Sequence, residues 1–248
     1  RRIQEAGTLG EVVADATGKA KTAAARYAVE RYVRPGLRIA LGTGSTATEA
    51  VRALAGRFPR ARFDCVASSR VTEELARSLG ISVRALRGGD RFDLMLDGAD
   101  EVSPSLDMTK GGGGALLREK LLARLSATVV IVVDPSKLVG ALGERASIPV
   151  EVVPFARPVL ERDLAGEGYR VRLRVGETGR PFVTDNGNEI LDLSPREPIS
   201  NPAAAAEAIE RHVGVVESGI FVGLASRVVV GHPDGRVDEL RPARARRP

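Results

Sequence analysis

The sequence predicts an α/β protein in which a parallel sheet covered on both faces is accompanied by a smaller α+β domain. Three observations predict it. Short, continuously apolar runs alternate with stretches of helical period through the first half of the chain, as strands buried on both faces require. The Gly-rich and acidic motifs each follow directly on such a run, where ligands gather in parallel sheets. From about residue 146 the order becomes strand, helix, strand, strand, helix, strand, which is the β-α-β-β-α-β succession of a ferredoxin-like unit.

Element by element, the first 17 residues lack an apolar period and read as an extension. Residues 20–33 predict a helix stopped by Pro35-Gly36, and residues 37–41 a strand leading through Gly42-Thr43-Gly44-Ser45-Thr46 into a helix to about Ala55. Residues 62–67 and 71–79 repeat the strand and helix. Residues 92–96 form a third strand running into Asp97-Gly98-Ala99-Asp100-Glu101, and Gly111 to Gly114 introduce a helix to about Leu125. Residues 128–133 close the series. The second unit takes residues 148–153 as strand, 158–165 as helix, 170–175 as strand, 182–193 as strand with an Asn186-Gly187 turn, 202–212 as helix, and a last strand from Val215. Residues 220–230 and the Pro233-Asp234-Gly235 turn return to the first sheet. The expected division is therefore 1–17, then 18–145 with 219–248, and 146–218 as the smaller domain.

At 248 residues the chain can bury a substantial core. Its single cysteine, Cys65, permits no internal disulfide, and neither a signal peptide nor a membrane-length apolar run is visible, so a cytoplasmic protein with no membrane partner is expected. The net charge of +5 is scattered; its densest run, Arg241, Arg244, Arg246 and Arg247, carries no aromatic residue on which a base could stack, and no nucleic-acid partner is expected. Basic positions are overwhelmingly Arg. The five lysines are Lys19, Lys21, Lys110, Lys120 and Lys137, which points to sites that need a compact ammonium rather than a planar fork.

The Gly42–Thr46 turn aims backbone N–H groups and a helix N-terminus at an anion, and Thr46 with Glu49 has a capping-box spacing. By itself it fits a sugar phosphate, a dinucleotide or a plain tight turn. A dinucleotide would want an acid at the end of the second strand, but Asp64 lies at its beginning. Asp97, Asp100 and Glu101 crowd three carboxylates at a strand end, a pattern suited to sugar hydroxyls or proton transfer. A metal is the poorer reading, because the only histidines, His212 and His232, are remote. Four glycines after Lys110 offer N–H groups beside an ammonium, as a developing oxyanion needs. At about 100° per residue, Glu119 falls on the helix side of Ala115, Leu116, Leu122 and Ala123, whereas Lys120 and Arg124 form the polar face. A carboxylate on that apolar side is a candidate general base with a raised pKa. Lys137 follows a strand end and is a candidate phosphate or hydroxyl contact.

As a set, GTGST (42–46), SSR (68–70) with TEEL (72–75), LDGADE (96–101), KGGGGALLREK (110–120), DPSKLV (134–139), IPVEVVPFA (148–156), FVTDNGN (182–188) and GIFVG (219–223) resemble the ribose-5-phosphate isomerase A family in order and spacing from about residue 19 to residue 240. The resemblance implies a Rossmann-like domain with a ferredoxin-like one, assembled as a homodimer or homotetramer. It implies an aldose-ketose isomerase of the non-oxidative pentose phosphate pathway, converting ribose 5-phosphate and ribulose 5-phosphate through an enediolate without metal or cofactor. Thr43, Gly44, Ser45, Thr46, Asp97, Gly98, Ala99, Asp100, Lys110, Gly111, Gly112, Gly113 and Lys137 would bind substrate. Glu119 would be the proton acceptor, Asp97 and Lys110 would assist ring opening, and Asp100 would complete the catalytic set. The family's phosphate lysine on the first helix falls on Lys21, or on Thr22 when counted without a gap. Two rival readings are a sugar-phosphate-sensing regulatory domain and a NADP-dependent oxidoreductase; turnover of ribose 5-phosphate alone separates them from an isomerase.

Overall fold

The computed structural model describes residues 9–59 and 62–242. Helix α1 (Leu9–Tyr32) begins earlier than the pattern predicts. Gly10 and Gly18 depress helix propensity there, but a helix nucleated on the alanine-rich stretch that follows extends at little further expense. Arg244, Arg246 and Arg247 lie outside the described residues, and Arg241 pairs with Glu239 at 2.8 Å.

Strands β1 (Arg38–Leu41), β2 (Asp64–Ala67), β3 (Leu94–Asp97), β6 (Val129–Val133), β12 (Arg227–Gly231) and β13 (Val237–Leu240) form one sheet in the order β13-β12-β6-β3-β1-β2. All neighbours are parallel except β12 with β13, the hairpin turned by Pro233 to Gly235. Successive side chains of a strand point to opposite faces. Accordingly Ile39, Leu41, Val130 and Val132 pack with α1, α2 (Ser45–Arg57) and α3 (Arg70–Ser78), while Ala40, Val129, Ile131 and Val133 pack with α4 (Leu116–Arg124) and Phe221 on the other face. Double burial explains why Val129–Val133 is apolar throughout.

A four-stranded antiparallel sheet takes β7 (Ile148–Val152), β8 (Tyr169–Leu173), β9 (Glu189–Pro195) and β10 (Val215–Ser218) in the order β10-β7-β9-β8. Helices α5 (Arg157–Gly166) and α6 (Pro202–Glu210) cover it, with Ile148, Val150, Leu160, Leu164, Leu193 and Ile209 among its core. This is the predicted β-α-β-β-α-β order. Two of the predicted strands are interrupted. Residues 182–188 do not continue into β9; they form a turn closed by Thr184 N–H on the Asn188 carbonyl at 2.8 Å. The run 220–230 divides between β11 (Ile220–Phe221) and β12. With β4 (Glu101–Val102) and β5 (Met108–Thr109), β11 builds a small sheet, β11-β5-β4, too short to leave a periodic signal.

Candidate active site

Strand β1 has β2 on one side and β3 on the other, so the chain reverses its direction of winding between β1 and β3. The loops that follow these two strands part there and leave a cleft. Its walls are Thr43 to Thr46 after β1, Gly98 to Asp100 after β3, Lys110 to Gly113 after β5, Glu119 from α4, and Lys137 after β6. The structure thus brings together nearly every residue singled out from sequence. Two lie just outside the lining. Asp97 is wholly buried behind it, and Lys21 reaches it from α1 by donating to Ser45 Oγ at 3.0 Å. Thr22 turns instead to Glu49 Oε2, at 3.1 Å.

The first wall depends on a missing side chain. A Cβ on Gly42 would fall on the carboxylate of Asp97. Asp97 Oδ1 accepts from Thr43 N–H at 3.2 Å and Gly98 N–H at 2.8 Å, tying the ends of β1 and β3 together. Gly44 then opens α2 with φ +105, and no side chain caps the helix. The Thr46–Glu49 capping box is therefore not formed: Thr46 is buried inside the first turn, and no side chain among the described residues caps the helix end that borders the cleft. Thr43 Oγ1 anchors the turn from behind, 2.7 Å from Ser68 Oγ and 2.8 Å from Ser69 Oγ.

At the cleft floor Lys110 is 3% exposed. Its Nζ donates to the Gly98 carbonyl at 2.6 Å and lies 2.9 Å from Asp97 Oδ2, 3.4 Å from Glu119 Oε2 and 5.5 Å from the centroid of the Phe221 ring. Burial is the largest influence on Glu119 and raises its pKa. Lys110 opposes, Asp97 and Asp100 reinforce, and the carboxyl is pushed up to about 8. Burial also raises Asp97, against the pull of Lys110 and of the Gly98 and Thr43 N–H groups. For Lys110 burial works against the charge, but Asp97 and Glu119 outweigh it and hold the ammonium above its usual range. Two buried carboxylates sharing one ammonium can accept a proton near neutrality while the cation stays charged.

Asp100 closes the site from the rim, accepting from Gly112 N–H at 2.8 Å. The helical-face reading of α4 holds for Glu119 and Arg124 but not for Lys120. That residue is 4% exposed, with its Nζ 2.6 Å from Glu217 and 3.1 Å from Glu210. Its partners come from β10 and α6, a juxtaposition with no trace in local periodicity. Sequence reasoning also passed over Phe221, Arg118 and Arg174. Arg118 donates to Asn186 Oδ1 at 2.7 Å and to the Asp185 carbonyl at 2.9 Å, so the 182–188 turn is docked against the helix that carries Glu119.

Residues 64–235 match the family model described as ribose 5-phosphate isomerase A (phosphoriboisomerase A). A relative from Thermomicrobium roseum named ribose-5-phosphate isomerase A is 47% identical over 221 residues, covering 88% of this chain and 92% of its own. One of the same name from Chloroflexus aurantiacus is 46% identical over 222 residues, covering 88% and 91%. Among solved structures, ribose 5-phosphate isomerase A from Methanocaldococcus jannaschii superposes with a TM-score of 0.83 at 37% identity over 90% of this chain and 98% of its own. A D-ribose-5-phosphate isomerase in complex with phospho-erythronic acid gives 0.86 at 33% identity over 91% and 99%.

Proposed function

The chain belongs to the ribose 5-phosphate isomerase A family and isomerises ribose 5-phosphate to ribulose 5-phosphate, and from that premise we propose how its residues divide the reaction. Glu119 removes the C2 proton of the open-chain aldose, and the electron pair moves to O1 as the enediolate forms. The Lys110 ammonium and the N–H groups of the glycine run hold that charge. Glu119 returns the proton to C1 while the O2 proton passes to O1, leaving the ketose with atoms and charge balanced. The observation that carries this assignment is Glu119 itself, a carboxyl at the cleft wall with its pKa drawn up to about 8 by burial, next to a cation that stays charged.

Asp97 orients Lys110 from behind the lining, and together they assist ring opening, with Gly98, Ala99, Asp100 and Gly111 to Gly113 on the sugar hydroxyls. The phosphate takes the uncapped N-terminus of α2 at Thr43 to Thr46, with Lys21 and Lys137 as countercharges. Lys21 is favoured over Thr22 because its ammonium already meets Ser45. The test is to run ribose 5-phosphate in deuterated water. Deuterium should enter carbon-bound positions with the parent protein and not with Glu119→Gln; exchange that persists in the variant would transfer the role to another group.

Residues 18–145 with 219–248 are proposed as the catalytic domain and 146–218 as the smaller one. No helix among the described residues is long and apolar enough to cross a membrane. We place the enzyme in the cytoplasm and as a homodimer or homotetramer. The side chains of Phe155 and Val213, each 95% exposed, support self-association, which a solution mass measurement checks.

A further inference from the structure

Arg174 follows β8 and belongs to the four-stranded region, yet its guanidinium reaches the glycine run of the cleft. Nε donates to Asp192 Oδ2 at 3.0 Å and Nη2 to the other oxygen of the same carboxylate, while Nη1 donates to the carbonyls of Gly111 at 2.9 Å and Gly112 at 3.1 Å. The Asp192 side chain is 5% exposed and that of Arg174 16%. Phe182 stands beside the guanidinium, its ring centroid 6.0 Å away, and blocks space at Gly114. With every nitrogen committed, the planar fork has one orientation.

No peptide bond among the described residues is cis, so the carbonyl and the N–H of each of these peptide units point in opposite directions. The Gly111 carbonyl accepts from Arg174 and from Gly114 N–H, each at 2.9 Å, and the N–H of the same unit, that of Gly112, points away to Asp100 Oδ2 on the cleft wall. The Gly112 carbonyl is drawn to the same nitrogen, which turns the N–H of Gly113 to that same side. Gly113 lines the cleft, and its N–H has no acceptor among the described residues. We propose that Arg174 is a positioning residue for the isomerisation: by holding the carbonyls of Gly111 and Gly112 it aims the Gly113 N–H at the oxygen that gains charge as the C2 proton leaves. The inference rests on the reading of the cleft given above. It assigns the four-stranded region a share in catalysis, although Arg174 itself lines no part of the cleft.

Loss of an oxyanion donor typically lowers kcat by about 10² to 10³ and a misplacement of about 1 Å by on the order of 10². Arg174→Met misaims the donor without removing it, so kcat should fall by about 10- to 100-fold with KM little changed. Arg174→Lys keeps the charge without the fork and should fall between. Phospho-erythronic acid, whose carboxylate offers the planar charge that the enediolate develops, should lose affinity in step with kcat, whereas inhibition by inorganic phosphate should not move. A merely structural role would lower thermal stability and leave that ratio of inhibitors unchanged. Parent-like kcat in Arg174→Met overturns the proposal, as does full activity of Arg174→Lys if the Met variant does not fold. Glu119→Gln is measured alongside. If it is active, the reading of the cleft has failed; if it is inactive while Arg174→Met is unaffected, only the present inference has failed.

Discussion

Glu101 and Glu119 are almost equally withdrawn from solvent, at 1% and 3% exposure, but their surroundings are opposite in kind. Glu101 Oε1 accepts from the N–H groups of Arg145 and Ala146 at 2.7 and 2.8 Å, and Oε2 from Gly143 N–H at 2.7 Å and Thr109 Oγ1 at 3.3 Å. Its lone pairs are filled, and the loop that carries the chain from Lys137 toward β7 is fastened to the strand following the cleft. Glu119 Oε2 accepts no hydrogen bond among the described residues, only the ion pair with Lys110 at 3.4 Å. Burial alone therefore does not mark a catalytic acid. An acid supplied with donors shapes a loop, and one left short of them keeps an oxygen available for a proton.

The largest effect that can break this contrast is on turnover. Glu119→Gln should lower kcat by about 10² to 10⁴, the usual contribution of general-base catalysis, with KM little altered. Steady-state kinetics showing more than about a tenth of the parent kcat would place Glu119 with Glu101 among the structural acids.

Next in size is pH dependence. A base works deprotonated, and Glu119 titrates near 8 against an ordinary value of 4.5, so kcat/KM should rise with pH until about 8 and then level. The linkage has a definite sign. Between 4.5 and about 8 the folded state binds a proton at Glu119 that the unfolded state has lost, so the group supports folding at low pH and that support is gone above about 8. Melting curves across this window should fall less steeply with pH for Glu119→Gln than for the parent.

A smaller change is expected at Lys137, which meets the cleft from the start of the loop that Glu101 fastens. Lys137→Ala should raise KM by about 10- to 100-fold, the range of a hydrogen bond to a charged group, and leave kcat nearly alone, because a contact with an unreacting phosphate stabilises ground and transition states alike. A fall in kcat at constant KM would show that the lysine takes part in the chemistry. Smallest for activity is Glu101→Gln. Its amide sets a donor against backbone donors, and denaturant melts should show a loss of about 1–3 kcal/mol, with kcat close to that of the parent.

Much of this was legible in sequence because the chemistry is local. The Gly42–Thr46, Asp97–Asp100 and Lys110–Gly113 runs each sit at a strand end, and topology alone then brings strand ends to one side. Glu119 was legible because its neighbours on α4 are small and apolar. Lys120 was not, since Glu210 and Glu217 reach it from other elements. Arg174 falls within the run 170–175 that the sequence predicts as strand, and nothing within ten residues of it signals the carbonyls it holds. The FVTDNGN run misled for a different reason. Its apolar start suggests a strand, but Thr184, Asn186 and Asn188 all donate to Glu151 Oε1, at 2.9, 3.0 and 2.9 Å, and this buried carboxylate rolls the run into a turn.

Gly42 has an ordinary backbone conformation, so strain does not reserve it for glycine. What reserves it is occupancy, because the carboxylate of Asp97 already fills the volume in which any side chain at position 42 would begin. Positions 42 and 97, though 55 residues apart in the chain, are in consequence one heritable unit. A mutation at the first is an eviction notice for the second, so no stepwise path through single substitutions can enlarge residue 42 while the acid stays in place.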